Sequence, residues 1–95
     1  MNNEINFFNA ETTNTNSDSV LWVREVANVL LEGTWDTATV KMQVRYTDAG
    51  TWVNFMTFTE DDFAIIENLI PGWQIRFNLS SVGTGTSLTV NMINK

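Results

Sequence analysis

From residue 38 to 46 the chain alternates without a break. Val40, Met42, Val44 and Tyr46 fall on one side, and Thr39, Lys41, Gln43 and Arg45 on the other. A period of two sends successive side chains to opposite faces of an extended strand. The same period returns in 73–80, with Trp73, Ile75, Phe77 and Leu79 on one face and Gln74, Arg76, Asn78 and Ser80 on the other. It returns again in 87–94, where Leu88, Val90 and Met92 share a face. A helix would spread these apolar residues around its whole circumference, so the pattern demands half-buried β-strands.

The segments between them fit the same class. Residues 51–58, "TWVNFMTF", follow "TDAG", and two strands joined by a short Asp- and Gly-bearing link make a hairpin. In that turn Asp48 is expected to cap through its side chain and Gly50 to supply a positive φ. Both faces of 51–58 carry large apolar residues: Trp52, Met56 and Phe58 on one, Val53 and Phe55 on the other. This predicts a central strand, or one whose outer face is covered. Residues 19–31, "SVLWVREVANVLL", read as two short strands or one long bent strand ended by Gly33. Residues 63–70 fit a helical turn or a strand, and Pro71-Gly72 stops either. Six to eight short strands with turn signals between them predict an all-β chain. The expected architecture is a single antiparallel β-sandwich, jelly-roll-like, over residues 20–95. With 95 residues the chain allows one modest core.

Residues 1–19 stand apart. Residues 9–19, "NAETTNTNSDS", hold no large apolar side chain and read as a linker. Ahead of them Ile5, Phe7 and Phe8 form an apolar patch. It reads either as an edge strand folded back on the domain or as an extended N-terminal arm reaching a neighbouring chain.

Composition narrows the chemistry. The chain has no cysteine and no histidine, which removes disulfides, thiolate metal sites, the commonest general base and the commonest metal ligand. A net charge of −6 with five Lys and Arg argues against nucleic acid and anionic membrane as partners. The N-terminus lacks the pattern of a secretory signal, and no apolar stretch reaches the length of a membrane span. "YTDAGTWV" (46–53) resembles the Asp-box of sialidases, but Gly50 is followed directly by Thr51, and Tyr46 stands where the box has Ser or Thr. The box is in any case a turn motif, and the stretch reads as a hairpin. Glu60, Asp61 and Asp62 lack the alternate spacing of a cation loop and read as a solvated turn. "GTGT" (83–86) has no lysine and opens no helix, so it is no phosphate loop. The sequence thus points to no catalytic residue, no metal and no cofactor. A small hydrolase using Asp48 or the acids at 60–62 is the least favoured reading. Trp52 and Trp73 have apolar neighbours two residues away and are expected in the core. Trp22 and Trp35 are less clearly patterned. With Ile5, Phe7 and Phe8 they are the candidate protein-contact residues.

Several pieces together resemble small virion proteins of tailed bacteriophages: Gly33 to Trp35, Thr39 to Tyr46, Asp48 to Trp52, Pro71 to Phe77 and Thr86 to Val90. The resemblance covers about residues 33 to 93, and the hairpin is one residue shorter than the family's usual form. It implies a non-enzymatic capsid decoration or cement protein, or the base of a head fibre. Such a protein binds the major capsid protein on the virion surface after assembly in the host cytoplasm. It also implies a homo-oligomer, with a trimer favoured. The alternative is a carbohydrate- or receptor-binding β-sandwich module of a phage fibre or tail.

Overall fold

The alternating stretches become the inner strands of two sheets. A computed structural model describes residues 3–23, 25–46, 50–69 and 71–94. In chain order its strands are β1 (Asn3–Glu11), β2 (Thr15–Asn16), β3 (Val20–Leu21), β4 (Ala27–Thr34), β5 (Thr39–Arg45), β6 (Val53–Phe58), β7 (Asp62–Ile66), β8 (Gln74–Ser80) and β9 (Ser87–Asn94). One sheet has the order β1-β9-β4-β7. The other has the order β2-β8-β5-β6, with β3 also on β8. Leu79 pairs with both Thr15 and Val40, and Ile75 with both Val20 and Val44. β2 and β3 therefore follow one another along the same side of β8. Every pairing is antiparallel, and the two sheets pack together in a sandwich-like, all-β arrangement.

The core is the layer between the sheets. Val40, Met42, Ile75, Phe77 and Leu79 from one sheet meet Val29, Leu31, Leu88, Val90 and Met92 from the other, all at most 1% exposed. These are the inward positions of the period-two pattern, and their burial is the main stabilising term.

Departures from the sequence reading occur where lateral position matters. β6 is an edge strand rather than a central one. Its pairing with β5 slips between Met42↔Met56 and Gln43↔Asn54. The slip breaks the alternation, so Met56 and Phe58 pack toward the core while Trp52 stays on the outer side. Tyr46 lies beyond the end of β5 and is 75% exposed, not core. Residues 19–31 divide between the two sheets as β3 and the start of β4, and β4 runs one residue past Gly33. The ambiguous segment after Glu60 is a strand, β7, and Leu69 beyond it is buried with its N–H donated to Glu25 O at 3.0 Å. Of the two readings of the N-terminal patch, the chain takes the fold-back strand: β1 pairs with β9 from Asn3 to Glu11. The expected linker carries the end of β1 and all of β2, whose Asn16 side chain accepts from Asn78 Nδ2 at 2.8 Å. Asp48 and the turn 47–49 lie outside the described residues.

A corner fixes how the sheets meet. Between β4 and β5, Ala38 N donates to Trp35 O at 2.9 Å, and Asp36 and Thr37 have φ of 43° and 77°. Two positive φ values inside an i to i+3 bond mark a primed turn, which usually favours Gly or Asn over a β-branched residue. The loop after β8 holds it in place. Thr37 Oγ1 donates to Ser81 O at 2.9 Å, and Asp36 Oδ2 accepts from Gly85 N at 2.8 Å. Buried Thr86 finishes the clasp: its hydroxyl accepts from Gly83 N and donates to Trp35 O, both at 2.9 Å.

Two substitutions test this account. Thr86→Val keeps the shape and removes both bonds, so it should destabilise the fold by about 1–3 kcal/mol in urea melts. Gly33→Ala should cost more than about 1 kcal/mol, because Gly33 has φ +138° and an added methyl would meet Ser87 O across the β4–β9 pair. Unchanged midpoints for either variant would remove the corresponding contact from the explanation.

Candidate functional site

The described residues span 37 × 32 × 17 Å, a slab with two broad faces. The five protein-contact candidates are not on those faces. Phe8 and Trp22 are each 3% exposed, inside the core. Ile5, Phe7 and Trp35 are half-buried and pack against it. Phe7 packs on Phe77 with ring centroids 4.8 Å apart, and Trp35 Nε1 donates to Asp61 Oδ1 at 2.7 Å. Asp61 also accepts from Gly33 N at 3.1 Å, so this acid of the 60–62 run braces β4. The Trp22 indole N–H is buried without a hydrogen-bond partner among the described residues.

The outer face of β4 and β7 is apolar instead. Phe63 is 55% and Ile65 62% exposed, side by side on the edge strand β7. Behind them in register lie Leu30, opposite Phe63, and Asn28, opposite Ile65 and flanked on its other side by Ile93 of β9. Asn28 is only 5% exposed, and its side-chain amide makes no hydrogen bond among the described residues. Toward β1 this face turns polar, where Asn6 Nδ2 donates to Asn91 Oδ1 at 2.6 Å. Sequence reading missed Phe63 and Ile65 because residues 63–70 carry no clean period, and their outward aim follows only from pairing with β4.

The outer face of β8, β5 and β6 is cationic and rich in amides. Strand alternation forces Lys41, Gln43 and Arg45 of β5, and Arg76 and Asn78 of β8, to this side. Cross-strand register puts Gln43 beside Arg76 and Gln74 beside Arg45. Arg45 Nε donates to Gln74 Oε1 at 2.6 Å, and Arg76 Nε donates to Gln43 Oε1 at 2.8 Å. Gln43 Nε2 in turn donates to Asn54 Oδ1 at 3.0 Å. The half-buried Trp52 ring sits with both guanidiniums: its centroid is 4.5 Å from Arg45 Cζ and 4.4 Å from Arg76 Cζ. Such cation–π contacts stabilise by roughly 0.5–2 kcal/mol and hold the indole in place. Partial burial, then the neighbouring Arg45 charge, pulls Arg76 below the ordinary arginine value. Among the described residues no carboxylate pairs with either guanidinium.

At the end of β5 and β6 this face borders an apolar hollow of about 360 Å³, lined by Val44, Tyr46, Val53, Phe55, Trp73 and Arg45. Phe55 and Trp73 meet edge to face there, with centroids 6.0 Å apart. Among the described residues, no three acidic, His or Cys side chains converge as a metal site. No helix is long and apolar enough to cross a membrane among those residues. No protein-family model matches the chain, and neither a curated protein nor a solved structure matches it.

Proposed function

We propose that this chain is a non-enzymatic structural protein of a phage virion. In this reading it docks on the outer surface of the capsid through the apolar face of β4 and β7. The observation that carries the docking is the pair of exposed residues Phe63 and Ile65, backed by Leu30 and Ile93. Large apolar side chains gathered on a sheet face are the composition of an interface centre rather than of a wetted surface. Asn28, in register beside them, adds a side-chain amide that a partner can hydrogen-bond. The edge of β7 contributes further, since an unpaired strand edge is a ready site for another chain.

The strand order supports the virion reading at the level of architecture. We read β1-β9-β4-β7 and β2-β8-β5-β6 as the two interlocked sheets of a jelly roll, a plan common to viral capsid and lectin domains. Fold does not set function, so the weight rests on the surface. The capsid is the occupant to which the resemblance of residues 33–93 points. A trimeric arrangement would multiply modest contacts into tight binding.

The test is co-sedimentation with capsids that lack this protein. The wild-type chain should bind. The double variant Phe63→Asp/Ile65→Asp should bind at least about tenfold more weakly with an unchanged melting curve, because both residues are exposed. Absence of wild-type binding, or undiminished binding by the variant, would overturn the proposal. So would a variant that binds capsids normally but turns an oligomer into a monomer in light scattering, since the face would then join copies of the chain.

A further inference from the structure

The polar face of β8, β5 and β6 carries a second inference, independent of the capsid reading because it lies on the other side of the slab. We infer that Trp52, Arg45 and Arg76, with Gln43 and Asn54, form a binding site for an acidic glycan, a sugar chain bearing carboxylates.

Charge distribution is the first argument. The chain has a net charge of −6, yet the cations among the described residues, Lys41, Arg45 and Arg76, all project from this one face. Two like charges held against one indole repel each other, and no carboxylate among the described residues relieves them. An incoming anion would. Folding tolerates such an arrangement more easily when a ligand supplies the missing negative charge.

Pre-organisation is the second. Each guanidinium is oriented by its Nε bond to a glutamine carbonyl oxygen across the strand pair, which leaves the terminal NH2 groups for a bidentate carboxylate contact. Gln43 bridges onward to Asn54, so the site lies on a rigid sheet rather than on loops. A carboxylate meeting these arginines would find donors already in place.

Sugar is favoured over other anions because the Gln43 and Asn54 amides beside these arginines both donate and accept, as sugar hydroxyls require. A nucleic-acid strand needs a longer cationic track and would be repelled by the rest of this acidic chain. The arginine–amide set, with Trp52 holding the guanidiniums in place, thus fits a ligand with hydroxyl edges and a carboxylate.

The experiment is a ¹⁵N-detected titration of the full chain that follows the arginine Nε–H and tryptophan Nε1–H signals. The probes are a short oligogalacturonate, its methyl ester, sialyllactose, lactose and a single-stranded oligonucleotide. At least one of the two acidic sugars should shift the Arg45, Arg76 and Trp52 signals, and the matching uncharged sugar should bind at least about tenfold more weakly. Arg76→Gln, and separately Arg45→Gln, should weaken acidic-sugar binding by about tenfold or more while the chain still folds, its melting curve lowered only by the lost contacts to Trp52 and glutamine. Binding should also fall with added salt. The proposal is overturned if neither acidic sugar shifts these signals at millimolar concentration. Equal binding of the methyl ester or lactose overturns it, as does equal binding of the oligonucleotide, which would mark a non-selective polyanion surface. Shifts that persist in both arginine variants would place the sugar elsewhere and overturn it as well.

Discussion

Everything in this molecule depends on the layer of side chains trapped between the two sheets. β5, β8, β4 and β9 are the interior strands, each hydrogen-bonded on both sides, and their inward residues are almost entirely excluded from water. Because the pleat alternates, burying Val40, Met42 and Val44 sends Lys41, Gln43 and Arg45 outward with no further instruction. A one-residue slip would exchange the two sets, so the hydrophobic layer also fixes the register that puts Arg76 beside Gln43. The surface chemistry is in this sense a consequence of the core.

The layer must also be closed at its ends, and here backbone chemistry replaces hydrophobic burial. The turn at Asp36-Thr37 adopts two positive φ values, one that Asp36 tolerates and one that the β-branched Thr37 disfavours. It is held by the carboxylate of Asp36, the hydroxyl of Thr37 and the 81–86 loop, with Thr86 as the buried link. Local strain is tolerated because surrounding contacts over-determine the conformation. Gly83 serves close approach in this loop, since a methyl on it would run into Asp36.

The outcome is a thin slab with two unlike faces. One is apolar at β4 and β7 and grades into asparagines toward β1. The other carries cations, amides and an indole in a chain that is acidic as a whole. In the proposed reading one face anchors the chain and the other is displayed. Both surfaces rest on rigid strands, so each would bind as a preformed shape with little ordering cost.

The sequence by itself determined the all-β class and the inward residues of β5, β8 and β9, because strand alternation is a local property legible within eight or nine residues. It also showed which chemistries lack their residues, since composition needs no fold. Tertiary structure decided the rest. Phe8 and Trp22 entered the core, and Ile5 and Phe7 packed against it, because β1 found β9 and β3 found β8 far along the chain, while Trp35 packed against it at the corner after β4, tied to Asp61 and Thr86. β6 became an edge strand, and its slipped pairing with β5 left Trp52 among the arginines rather than in the core. Phe63 and Ile65 were exposed because β7 had a neighbour on one side only. Which strand lies beside which is settled by contacts between distant residues, and no local period records it.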